Sequence, residues 1–208
     1  MPRWLWGSLL LLGAALAWAM AGGPPAAAAG GAAFACPRPP AFTDPAQPLQ
    51  SPVPSGLGAF GLGGATVTPL AGFSLQARVL SREDYSFGTE SRFAPTDLAL
   101  GWGPMQAEGM AKRLDVSQSS RWYRYRWGSE GPPLPPAEIA RNSANMHLVP
   151  ADAGVARQID AVQAGQVVRL QGWLIRIDDP SGWHWQSSLT REDTGAGACE
   201  LVLVCAIE

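Results

Sequence analysis

Apolar and polar positions divide the chain into three unequal parts. From Trp4 to Ala21 the residues are almost all apolar, with Arg3 ahead of them and small residues behind. This is the layout of a secretory signal. It also fits a short membrane anchor, because 18 residues lie at the lower end of what crosses about 30 Å of hydrocarbon as a helix. Ala19-Met20-Ala21 and Ala33-Phe34-Ala35 both satisfy the small-x-small rule for cleavage, so the cut could fall at either. Cys36 follows Ala35 directly and could carry a lipid, although 14 residues separate it from the apolar run. From Gly22 to Pro69 no period is visible. That stretch holds ten of the 19 prolines and the patch "SGLGAFGLGGA", a composition expected of a flexible tether. The expected division is residues 1–21 as signal or anchor, 22–69 as disordered tether and 70–208 as one globular domain.

Within 70–208 the period is mostly two. "FSLQARVLSREDYSF" alternates around Leu75, Ala77 and Val79 as a strand does. In "APTDLALGWGPM", Thr96 or Asp97 could cap a short helix that Gly101 and Gly103 interrupt. "RWYRYRWG" places Tyr123, Tyr125 and Trp127 on one strand face and Trp122, Arg124 and Arg126 on the other. A helical turn is expected from Pro136, then an extended piece ending at Pro150. Residues 152–163 put Val155, Ile159 and Val162 at helical spacing behind Asp152, with Gly165 beyond the end. "GQVVRLQGWLIRID" reads as a long strand in which Gly172 marks a bulge or bend. Residues 178–182 form a turn, "WHWQSSLT" returns, and "CELVLVCAI" is apolar on both faces, as a buried last strand is. These elements predict an α+β domain, mainly antiparallel, with an OB-like barrel and one or two short helices. Val168, Leu170, Leu174, Leu201, Leu203 and Val204 are expected to share one core.

Charge narrows the function classes. With 15 basic and 17 acidic residues the net charge is −2. Such a balance offers no general electrostatic grip on nucleic acid or anionic lipid. Arg124 and Arg126 between aromatics suit single-stranded nucleic acid locally, but this conflicts with export, and no nucleic-acid partner is expected. Metal and cofactor chemistry also lack their patterns. Two histidines 37 positions apart and three cysteines without a C-x-x-C pair match no zinc spacing. No glycine-rich phosphate loop follows a strand. Cys199 and Cys205 lie about 20 Å apart along one strand and cannot pair with each other; either could in principle meet Cys36.

The blocks "SREDYSF", "APTDLALGWGPM", "SANMHLVPADAGVA" and "SSLTREDTGAGACE" resemble those of uncharacterised bacterial proteins with an N-terminal export or membrane segment. The resemblance spans about 76–208 and implies no activity, cofactor or catalytic residue.

Two readings of function follow from the residues. In the first, the chain is an exported protein of the cell envelope, periplasmic or held in the inner membrane through residues 4–21. It binds an envelope protein or glycan-like ligand without catalysis, through Tyr123, Arg124, Tyr125, Arg126, Trp183 and Trp185, whose flat amphipathic side chains suit such contacts. In the second it is an envelope hydrolase. His147, in what reads as a proline-bounded loop, would be the base, Asp152 or Asp193 the orienting carboxylate, and Ser187 or Ser188 the nucleophile. The first reading is preferred, because no nucleophile motif accompanies His147 and residues 191–197 have the chemistry of a hairpin turn, although the hydroxyls of Ser187, Ser188, Thr190 and Thr194 exceed what a turn needs.

Overall fold

A computed structural model of the chain describes residues 35–190 and 199–208. The strands are β1 (Leu49–Ser51), β2 (Phe60–Leu62), β3 (Ala65–Asp84), β4 (Thr96–Gly101), β5 (Leu114–Ser119), β6 (Trp122–Trp127), β7 (Ser143–Pro150), β8 (Val167–Asp178), β9 (His184–Gln186) and β10 (Glu200–Ile207). Three short helices stand between them: α1 (Met110–Arg113), α2 (Pro136–Arg141) and α3 (Ala153–Ala161). Five strands close on themselves in the order β3-β4-β7-β10-β8 and back to β3. The β7–β10 contact is parallel and the other four are antiparallel. Helix α3 lies in the connection from β7 to β8. The chain therefore adopts the expected α+β fold, mostly antiparallel, with a barrel-like sheet of OB type.

Closure follows from strand length and bending. At 20 residues, β3 is long enough to pair with β8 along one stretch and with β4 along the next, and its register shifts at Pro69/Ala71 and Val79/Ser81. Pro69 has no N–H to offer a ladder, so a register shift is where a strand tolerates it. Gly172 in β8 meets a different demand. A Cβ there would lie 2.2 Å from the Leu203 carbonyl oxygen of β10, so only glycine allows the two backbones this close.

The side chains form layers inside and outside the barrel. Phe73, Leu75, Leu98, Leu100, Met146, Leu148, Val168, Leu170, Leu174, Val202 and Val204 fill the interior, and Val155, Ile159 and Val162 of the α3 segment pack against them. Asp152 caps α3, accepting from the Gly154 and Val155 N–H groups at 2.6 and 2.9 Å. Leu201 and Leu203 belong instead to a layer outside the barrel, with Val67, Trp173, Ile175 and Ile177. The single core expected from the apolar strands is thus two, because a strand apolar on both faces feeds a layer on each side.

That outer layer explains why the tether expectation fails over residues 35–69. Cys36, Val53, Leu57, Phe60 and Leu62 cover it, β1 and β2 pair with β3, and Cys36 forms a disulfide with Cys205. Proline-rich backbone has carbonyls to offer but few N–H groups, and here barrel side chains supply the donors. Trp173 Nε1 donates to the Pro37 carbonyl at 2.8 Å, Gln171 Nε2 to Pro39 at 3.0 Å and the Ser74 hydroxyl to Pro40 at 2.9 Å. The folded unit begins near residue 34 rather than 70. Residues 1–34, which include the expected signal or anchor and the first part of the tether, lie outside the described residues. Among the described residues no helix is long and apolar enough to cross a membrane.

The segment expected as a capped helix at Thr96 is strand β4, buried throughout. Pairing on both sides, with β3 and β7, outweighs the local capping signal of Thr96 and Asp97.

Candidate functional site

Alternation along two neighbouring strands builds the site. On β4, Leu98 and Leu100 point into the barrel, which leaves Asp97 and Ala99 outside. On β7, Met146 and Leu148 point inward, so Ser143, Asn145 and His147 share the outer face with them. Asp97 stands directly across from His147, and Ala99 from Asn145. This outer face is polar, yet buried. Asp97 is fully enclosed and His147 only 3 % exposed.

The cover is the β5–β6 hairpin, a two-stranded sheet of its own. Its tip residues, Ser120 and Arg121, both have positive φ, 51° and 69°, the requirement of a tight two-residue hairpin turn. The tip delivers Arg121 to Asp97, with Nη1 at 2.7 Å from Oδ1 and donating also to the Ala94 carbonyl at 2.8 Å. The guanidinium carbon lies 3.8 Å from the Tyr85 ring centroid and 5.7 Å from that of Trp185. Asn145 Nδ2 donates to Asp97 Oδ2 at 3.0 Å and to the Arg121 carbonyl at 3.1 Å. Gln118 Nε2 donates to Asn145 Oδ1 at 2.7 Å. Nδ1 of His147 is 3.0 Å from Asp97 Oδ2, but it has no hydrogen-bond partner among the described residues.

This geometry rearranges the expected catalytic set. His147 lies on strand β7 rather than in a loop, and its carboxylate neighbour is Asp97. Asp152 is the cap of α3. The Ser187 hydroxyl donates to the Ser188 carbonyl at 2.8 Å and accepts from the Leu201 N–H at 3.1 Å. The Ser188 hydroxyl donates to the Thr190 carbonyl and accepts from the Thr190 N–H, each at 3.1 Å. The hydrogen bonds described for both serines therefore run to backbone, and none reaches His147. Asp193 lies outside the described residues. Among the described residues no group of His, Cys, Asp and Glu could hold a metal ion.

The expected binding residues divide by face. Tyr123 and Tyr125 point inward and pack on Leu80, Ala99, Met105 and Ile139. The Tyr123 hydroxyl donates to Ser143 Oγ at 3.1 Å, and burial pushes its pKa up to about 12. Arg124 and Arg126 point outward, paired with Ser119 and Asp115, beside the 39 % exposed Trp122. They line a shallow recess with Ser117, Ser119 and an edge of Tyr125. Trp183 and Trp185 are half-buried at the other rim. Trp183 stacks on Phe93 at 5.9 Å, Trp185 packs on Trp183 at 6.0 Å, and His147 meets Trp185 at 4.7 Å. Arg92, over the Phe93 ring at 5.1 Å, also reaches Asp179 at 3.5 Å, joining the β3–β4 loop to the turn after β8.

Sequence reasoning missed Asp97, Arg121 and Tyr85. The alternation of "TDLALG" carried the signal for Asp97, placing it opposite the apolar face. Arg121 had none, since a Ser-Arg pair is unlike the Asn-Gly or Asp-Gly pairs that announce such a turn. No family model, no curated protein and no solved structure matches the chain.

Proposed function

We propose that the protein is an exported or membrane-tethered module of the cell envelope that binds an envelope protein or glycan-like ligand and carries out no catalysis. The observation that carries this reading is the outer face of β4 and β7. It is polar and rimmed by aromatic and arginine side chains, the side on which OB barrels receive extended ligands. Yet among the described residues no activated nucleophile stands beside its histidine. Contacts would come from Trp183, Trp185, Trp122, Arg124 and Arg126, while Tyr123 serves the fold. The Cys36–Cys205 disulfide supports export, because such bonds persist in oxidising compartments.

The test takes cells producing the full chain. Recovery in the envelope fraction with Cys36 and Cys205 oxidised, and retention on envelope glycan that Trp185→Ala or Arg124→Ala weakens, is the expected result. Soluble cytoplasmic protein with both thiols free ends the export claim. The hydrolase reading has one feature in its favour, the carboxylate beside His147. An ester- or amide-cleaving activity that His147→Ala lowers by about 10²–10⁴ while the melting curve stays intact would establish it instead.

A further inference from the structure

Among the described residues Arg121 is the one arginine or lysine in contact with Asp97 on the buried outer face of the barrel's β4–β7 pair, and it comes from the β5–β6 hairpin rather than from the barrel. The walls around it all belong to the barrel and its loops. Asp97 Oδ1 and the Ala94 carbonyl oxygen take its Nη1, and the Tyr85 ring lies under its guanidinium carbon at 3.8 Å with Trp185 beyond. A carboxylate, a carbonyl and a stacking ring are the parts of a guanidinium receptor, since the flat cation accepts in-plane oxygens and a ring face together. Desolvation strengthens both interactions here, because the Asp97 side chain is 0 % exposed and that of Arg121 only 16 %.

The fit of the resident cation is incomplete. The Arg121 guanidinium makes both its hydrogen bonds through Nη1, and its buried Nη2 has no partner among the described residues. A fork that engages a carboxylate through both nitrogens binds more strongly, so the hairpin holds its guanidinium short of the best arrangement. The tip is itself strained. Ser120 and Arg121 both occupy the left-handed region without being glycine or asparagine, and strain of this kind concentrates at ligand clamps and switch regions. The hairpin shares no sheet with the barrel. Glycines with positive φ stand on either side of it, Gly109 before β5 and Gly131 after β6, each with open space where a Cβ would be.

We propose that the Asp97, Ala94, Tyr85 and Trp185 cage is a recognition site for an arginine-type guanidinium group, occupied in cis by Arg121. A partner's guanidinium, free of the constraint of the turn, displaces the hairpin tip and takes its place. This deepens the reading of the barrel as a binding module and names the chemistry its polar face receives. It does not depend on export, so the fractionation experiment and the one below fail independently.

The test uses the full chain carrying Arg121→Ala, titrated with N-acetyl-arginine amide while tryptophan fluorescence and the melting temperature are followed. The expected result is saturable binding at least about tenfold tighter than to the unaltered protein. It should come with a rise in melting temperature, and both should disappear in Arg121→Ala/Asp97→Asn. An extended arginine-containing peptide that binds more tightly than the amide identifies a polypeptide source, and equal binding identifies a small guanidinium compound. A folded Arg121→Ala protein that ignores the amide, or binds it equally well without the Asp97 carboxylate, overturns the proposal and leaves Arg121 as an anchor only. Should Arg121→Ala not fold, hydrogen exchange on the unaltered protein decides. Added amide must speed exchange in residues 114–127 and nowhere else, and unchanged exchange there overturns the site.

Discussion

Tyr123 shows how one side chain can be misread from its face and correctly read from its depth. Alternation placed it with Tyr125 and Trp127, which was right, but that face turns inward. Its ring lies 5.5 Å from Tyr125, and its hydroxyl is held by Ser143, which in turn donates to the Ile139 carbonyl at 2.6 Å. Burial raises its pKa from the ordinary 10 to about 12, against the opposing effect of the Ser143 bond. The unfolded chain releases this proton first. Stability from this group is therefore complete below pH 10 and declines as pH rises to about 12, by up to roughly 2–3 kcal/mol. Tyr123→Phe should cost about 1 kcal/mol below pH 10 for the lost hydroxyl bond and flatten the decline above it. Urea unfolding of both proteins across that window is the check, and equal slopes would mean that another group titrates there. His147 was legible as an unusual residue but not in its setting, because its carboxylate neighbour, Asp97, lies 50 positions away in sequence and one strand away in space.

At the scale of elements, regular alternation and strong punctuation were read correctly, and local capping signals were not. Helix α3 follows directly from Asp152 and the spacing of Val155 and Ile159; it ends at Ala161, where Val162 is already extended, ahead of Gly165 with its φ of 90°. Strand β10 is apolar on both faces and indeed has no exposed residue before Glu208. Strand β4 was misjudged because a threonine and an aspartate before a short apolar run read alike as a helix cap or as the outer face of a strand. Only pairing on both edges decides between them. The last strand gives the sharpest test at this scale. Leu203 is fully buried beneath the covering segment, so Leu203→Ala should cost about 2–5 kcal/mol. Gly172→Ala, which drives a Cβ against the Leu203 carbonyl, should destabilise by at least about 2–3 kcal/mol although it only adds a methyl group. Losses below about 1 kcal/mol for both, measured by denaturant unfolding, would show that β8 and β10 are not packed this way.

At the scale of the whole molecule, residues 35–69 are part of the fold rather than a leash. Its disulfide joins residues 169 apart, so opening it releases a long loop in the unfolded chain. Loss of the bond through Cys36→Ser should lower stability by about 2–5 kcal/mol, and a dithiol reductant should lower the melting temperature of the unaltered protein but not of Cys36→Ser. A chain starting at residue 70 should not fold, because it lacks β1, β2 and the first five residues of β3 and leaves Trp173 and Leu203 uncovered. One starting at residue 35 should. A cooperative melt of the shorter chain, followed by circular dichroism, would restore the tether.

By itself the sequence determined what depends on neighbours along the chain. The two-residue period of Leu75 to Val79 and of Val168 to Leu174, the capped helix and the doubly apolar last strand are local patterns, and they suffice for an α+β barrel of OB type. The tertiary structure decided what depends on distant partners. Prolines and glycines at 35–69 look disordered because they lack local hydrogen bonds, and they become ordered when Trp173, Gln171 and Ser74 bond their carbonyls. Asp97 looks like a cap until β7 sets His147 across from it and a hairpin tip brings in Arg121. The physical reason is the same in both cases. A polar group's environment is set by whichever chain segment reaches it, and closure of the barrel determines which segment that is.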